Sequence, residues 1–135
     1  MLDILKYLRC RYVDGGRTDT EMDCWQMVRT ARHEAGFPLL PAYGALRNTN
    51  PRAFTKAYES EAALMEPCAP EHGAIAAVLH GKVCVHVALV LENAGELWVL
   101  EINPVRGPRF MRHNTWVRDH LTVTYHRDAH DQGLS

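Results

Sequence analysis

A chain of 135 residues with a formal charge of −1 is the size of one domain and long enough to bury a core without staples. Its charges are mixed along the sequence without the basic stripe that nucleic-acid binding needs, and no apolar run is long enough to span a bilayer, so neither nucleic acid nor membrane insertion is expected. The four cysteines show no C-x-x-C pairing, and no N-terminal apolar run with a cleavage site is present. Synthesis and folding in a reducing cytoplasm, with no signal peptide and no disulfide framework, follow as the default.

Leu2 to Leu8 carries apolar residues at helical spacing and predicts a short first helix that ends before the turn at Asp14 to Gly16. From Trp25 the residues Met27, Val28, Ala31 and Ala35 continue on one helical face until Gly36 and Pro38 stop them. The stretch "FPLLPAYGALRNTN" reads as a loop, after which Asn50 caps and Pro51 opens another helix that Pro67 and Pro70 end. The period then changes from helix to strand. "AIAAVL", "VCVHVALVL" and "ELWVLEI", separated by turns at His80–Gly81 and Asn93–Gly95, form an antiparallel meander, and Leu121 to Tyr125 adds a last strand. Residues 127–135 read as a polar tail. Helices first and strands second predict a single α+β domain over 1–135, with N-terminal helices packed on one face of a C-terminal antiparallel sheet.

Two residue types on these elements carry chemistry. Asp23 is a good N-cap and Gln26 stands three residues later, the spacing of a capping box, so Cys24 becomes the first residue of its helix. The positive end of a helix dipole favours a thiolate, the form of cysteine that attacks carbon. The alternative is a small buried hydrophobe, the usual fate of a free cysteine. In "VCVHVALVL" strict alternation puts Val83, Val85, Val87, Leu89 and Leu91 on one face and Cys84, His86, Ala88 and Val90 on the other. His86 is either a hydrogen-bonded core histidine or, facing the Cys24 helix, its general base. Glu101 shares a face with Leu97 and Val99, with Asn103 one step on. Either could orient the imidazole as the third member of a cysteine triad, or Glu101 could be a rim charge.

"YVDGGRTDTEMDCWQMV" resembles the segment of the NlpC/P-sixty cell-wall peptidases in which a Y-x-x-G-G turn leads to a D-C pair at a helix start, with Tyr12, Gly15, Gly16, Asp23 and Cys24 matching. "HVALVL" is similar to that family's histidine strand, and "VLEIN" lies where its third polar residue is found. "DCWQMVRTARHEAGFPLLPAYG" resembles the branch found in bacteriophage tail proteins, and the likeness covers roughly residues 7 to 120. It implies a papain-like fold with Cys24 as nucleophile, His86 as base and later acid, and Glu101 as orienting residue, Asn103 being the alternative. Tyr12 and Asp23 would serve substrate or oxyanion binding beside the thiol.

The resemblance further implies hydrolysis of stem-peptide amides of peptidoglycan in a virion, at the phage tail tip, with no cofactor. Gln26, Ala88 and the Glu71–Ala74 stretch differ from the family's usual residues, which motivates a second reading as a structural tail-tip component with little or no activity. Other tail-tip proteins are the expected partners. Candidate docking surfaces are the first helix and the basic segment Arg106 to Arg118, with Arg109 and Arg112 among its charges and Phe110 and Trp116 as aromatic anchors. The pairs Cys68/His72 and His126/His130 have metal-ligand spacing but no matching partner motif, so no metal is expected.

Overall fold

The computed structural model describes residues 2–43 and 50–129. Three helices, α1 (Ile4–Leu8), α2 (Cys24–Glu34) and α3 (Pro51–Leu64), come first. Strands β3 (Met65–Pro67), β4 (Ile75–His80), β5 (Val83–Asn93), β6 (Glu96–Asn103), β7 (Gly107–Arg112) and β8 (Thr122–Asp128) follow, with a short α4 (His113–Val117) between β7 and β8. They form one sheet of order β3-β8-β4-β5-β6-β7 in which every pairing is antiparallel. A two-stranded parallel ribbon, β1 (Arg11–Tyr12) with β2 (Glu21–Met22), joins α1 to α2. The class is α+β, as the residue pattern predicts.

Helix α2 lies on the sheet through Met27, Val28 and Ala31, all fully buried, in one core with Val87, Leu89, Leu91, Leu100 and Ile102 of β5 and β6. Burial of each large side chain here is worth roughly 1.5–3 kcal/mol, so this contact fixes where the helix start can sit. Helix α3 begins where its cap predicts: Asn50 Oδ1 accepts from the Ala53 N–H at 3.2 Å, and Pro51 fills the first turn.

The helices do not all share one face. The opposite side of the sheet, built from Ala76, Val78, Ala88, Val90 and Val99, is covered by Trp116 of α4. The sequence carries the reason: β4 to β6 are apolar at consecutive positions, and a strand buried on both faces reads as a continuous apolar run.

The register of β4 and β5 slips once. Val78 faces His86 but Leu79 faces Cys84, which leaves Val85 unopposed in a β-bulge. The extra residue breaks the alternation assumed from sequence. Cys84 joins the helix-side core with Val87 and Leu89, while His86 keeps the strand phase of Ala88 and Val90, which pack on the other side.

Residues 107–112, part of the expected docking segment, form the edge strand β7, a position that tolerates proline, glycine and charge. The expected tail is corrected. Strand β8 continues past Tyr125, so Arg127 and Asp128 belong to the sheet rather than to a tail. Arg127 pairs with Glu66 and, at 3.3 Å, with Glu71, and Asp128 meets the fully buried Arg32 at 2.9 Å. Residues 130–135 of the expected tail, and 44–49 of the expected loop, lie outside the described residues.

Gly73, just before β4, has φ +87, and a Cβ there would stand 2.0 Å from the Phe37 ring. Its carbonyl accepts from Arg32 Nε at 2.7 Å, and the same guanidinium lies over the Phe37 ring. Gly73→Ala should cost on the order of 2–4 kcal/mol through strain and overpacking. Urea denaturation midpoints check this; an unchanged midpoint would mean that Phe37 moves aside freely.

Candidate active site

Cys24 is the first residue of α2, where the backbone N–H groups lack helical partners. Asp23 caps it, with Oδ1 accepting from the Gln26 N–H at 2.8 Å. Its other oxygen, Oδ2, meets Arg17 Nη1 at 2.6 Å, and Arg17 is itself tied to the carbonyls of Gly16 and Ala42. Asp23 is 1 % exposed with both oxygens engaged, so it positions the helix start. The capping box is made one way only, because Gln26 Oε1 is buried with no hydrogen-bond partner among the described residues.

Tyr12 is brought to the same place by the ribbon, where it pairs with Met22, the residue before Asp23. The Val13 N–H donates to the Met22 carbonyl at 3.1 Å, and a Cβ on Gly16 would meet the Glu21 carbonyl at 2.7 Å, so glycine is required for the turn to close on β2. Burial, with the charges of Cys24, Asp14 and Asp23 adding to it, pushes the Tyr12 phenol well above its ordinary value. It stays a neutral hydroxyl able to donate.

His86 joins the two halves of the chain. Its Nε2 lies 2.8 Å from Glu101 Oε1, and the Cys24 side chain acts on the same ring and raises its pKa. Burial alone would lower its pKa, but the bonds to Cys24 and Glu101 outweigh burial and lift it to about 9. The Val85 bulge sits immediately before this residue, a common device for aiming a side chain at a site.

Glu101 is 2 % exposed and fully paired. Oε1 accepts from His86 and from Trp116 Nε1 at 2.8 Å, and Oε2 accepts from Arg109 Nε at 2.9 Å and Nη2 at 2.5 Å. Burial would raise its pKa, yet the His86, Trp116 and Arg109 bonds hold the carboxyl down at about 2. Asn103, the alternative third residue, is otherwise engaged: its Oδ1 accepts from the N–H groups of Val105 at 3.0 Å and Arg106 at 2.8 Å and shapes the β6–β7 turn.

Tyr12, Asp14, His80, His86, Arg109 and His120 line an open cleft of about 610 Å³, the size of an ordinary ligand site. A second, apolar cavity between α2, α3 and the sheet holds about 20 Å³, room for one water, and no member of the triad lines it. Among the described residues no group of three or more His, Cys, Asp or Glu is gathered to hold a metal, and no helix is long and apolar enough to cross a membrane. His72 accepts from the Glu92 N–H, His126 lies in β8, and His130 is outside the described residues.

Three residues around the triad escaped sequence reasoning in these roles. Arg17 was not singled out, and Arg109 and Trp116 were read as docking groups. Trp116 is fully buried with its N–H on Glu101, which corrects its reading as a docking anchor, and Arg109 is bonded to the same carboxylate. Phe110 is half-buried, stacked on Trp98 with centroids 5.0 Å apart. The signal for Arg109 was present, since a three-residue turn after Asn103 pairs it with Gly107 and Glu101 with Arg109 across the hairpin.

No family model, curated protein or solved structure matches the chain.

The pH dependence of stability has a definite sign. His86 is raised from 6.5 to about 9, so its contribution is complete below pH 6.5 and lost as pH rises to about 9. Glu101 is lowered from 4.5 to about 2, so its contribution is complete above pH 4.5 and lost as pH falls to about 2. The stability difference between wild type and Glu101→Gln should be largest between pH 4.5 and 6.5 and shrink on both sides. Thermal midpoints of the two proteins across that range check it, and a difference that stays flat to pH 9 counts against the pair.

Proposed function

We propose that the protein is a cysteine peptidase of the NlpC/P-sixty type that cleaves stem-peptide amides of peptidoglycan and is carried to the wall in a phage tail. The observation that carries the reaction class is the imidazole of His86 held between the Cys24 thiol and the Glu101 carboxylate. The substrate and the virion context rest on the motif resemblance around Tyr12–Cys24, His86 and Glu101.

In this reading the Cys24 proton passes to His86 and the thiolate attacks the amide carbon. The oxyanion that forms is met by the Cys24 backbone N–H at the helix start and by the neutral Tyr12 hydroxyl. His86 then gives its proton to the leaving amine as the C–N bond breaks, leaving a thioester on Cys24. Water, deprotonated by His86, adds to that thioester, and collapse releases a carboxylate and restores the thiol. No step requires a metal or an organic cofactor. Glu101 holds the ring and stabilises the imidazolium without touching substrate.

A second reading, a tail-tip docking module with little or no turnover, draws on the burial of Cys24, which is 1 % exposed. Alkylation of Cys24 by iodoacetamide against pH separates the two. A live pair reacts well below the pH at which an ordinary thiol does, whereas a sealed thiol reacts slowly throughout.

Purified sacculi incubated with the protein should release stem-peptide fragments identifiable by mass spectrometry. Cys24→Ala and His86→Ala should each lower that release on the order of 10³-fold or more, and their combination should do little further harm. Glu101→Ala should cost on the order of 10²-fold or more and Asn103→Ala less than about tenfold, because only the former removes the group that sets the imidazole. Equal release by wild type and Cys24→Ala would end the peptidase reading.

A further inference from the structure

A carboxylate as the third group creates a problem that a neutral amide would not. Glu101 must stay ionised although it is 2 % exposed, and it must present one particular oxygen to His86. Either oxygen could turn towards the ring, and a protonated carboxyl could not accept from it and also stabilise an imidazolium. The groups facing the pair are Cys24 from α2, Tyr12 and Asp14 from the N-terminal ribbon and its turn, His80 at the end of β4, Arg109 from β7, and Trp116 and His120 from α4 and the residues after it. Of these, Arg109 and Trp116 touch the carboxylate besides His86 itself.

We propose that Arg109 and Trp116 are positioning residues that lock Glu101 with Oε1 towards His86, Arg109 by taking Oε2 with two donors and Trp116 by sharing Oε1 with the imidazole. The assignment rests on the peptidase reading for its catalytic meaning. Each donor comes from a different element. Arg109 stands opposite Glu101 in the β6–β7 ladder, so the hairpin register sets its reach. Trp116 is fully buried and its ring packs against His120 at 4.5 Å between centroids, so its N–H has a fixed direction. His86 does most to keep the acid ionised, and the Trp116 N–H and the guanidinium add to it where water cannot. It also faces the cleft, so the part of the constellation that holds the acid forms part of the substrate wall.

The test compares Arg109→Gln, Arg109→Lys and Trp116→Phe with the wild type in the full chain. Two readings are taken from pH 4 to 9: the NMR signals of the His86 ring, and the rate of Cys24 alkylation followed by peptide mass spectrometry. In the wild type Glu101 stays ionised throughout this range. In Arg109→Gln its protonation should move up into the range of about pH 4–6, so the His86 signals gain an inflection there and alkylation falls about fivefold or more between pH 7 and 5 beyond any wild-type fall. Arg109→Lys should recover most of the wild-type profile, and Trp116→Phe should show a shift in the same direction. Adding Arg109→Gln to Glu101→Gln should change neither reading further, because the charge it holds is gone. A loss equal at every pH, or one that adds fully to that of Glu101→Gln, would overturn the proposal. If the wild type digests sacculi no better than Cys24→Ala, the peptidase reading fails, and the His86 signals still decide whether Arg109 holds Glu101.

Discussion

The constraint on which the rest depends is one buried negative charge. An ionised carboxylate removed from water costs several kcal/mol unless its oxygens are filled. At Glu101 they are filled by four donors, from His86 on β5, Arg109 on β7 and Trp116 on α4. The same bonds that make the charge tolerable tie the end of the hairpin, the short helix across the sheet and the imidazole to one point. Remove any donor and the others lose the geometry that the carboxylate imposes on them.

The other half of the site is held by a different kind of force. Cys24 has its place because α2 is pressed on β5 and β6 by Met27, Val28 and Ala31, and because Asp23, itself held by Arg17, ends the helix there. Apolar packing sets the position of the helix and polar bonds set its first residue. The two halves meet where the β5–β6 ladder stops at Leu89 and Leu100, so His86 stands in a part of β5 released from its neighbour. A fully zipped ladder would leave the ring less freedom to span thiol and acid.

The elements with local signals were legible in the sequence. The α2 start followed from Asp23, the α3 start from Asn50 and Pro51, and the β4–β6 meander from apolar runs broken by turns at Gly81 and at Ala94–Gly95. What was not legible depends on partners remote in sequence. Residues 107–112 read as a basic segment rather than a strand because Gly107, Pro108 and its charges are tolerated only at a sheet edge, and the edge is a property of the assembled sheet. The bulge at Val85 leaves no mark on composition, so Cys84 was assigned to the wrong face. At the site, Cys24, His86 and Glu101 could be singled out as types able to do chemistry. The role of Trp116 could not, because a tryptophan in a basic segment looks like surface until the buried acid it serves is placed beside it, and the cross-strand signal for Arg109 emerges only once residues 107–112 are taken as a strand.

The Val85 bulge bears on how strands of this kind can be compared between proteins. The unopposed residue is what lets Cys84 turn into the helix-side core although it stands two positions before His86. A homologue lacking Val85 would pair Leu79 with Cys84 and Val78 with His86 in plain alternation, so both side chains would keep the faces they have here. In an alignment, a one-residue gap at Val85 is therefore compatible with the same aim of the histidine, whereas a gap that removes a paired residue would shift the ladder. Gaps in this strand are to be weighed by whether the residue they remove has a partner across it.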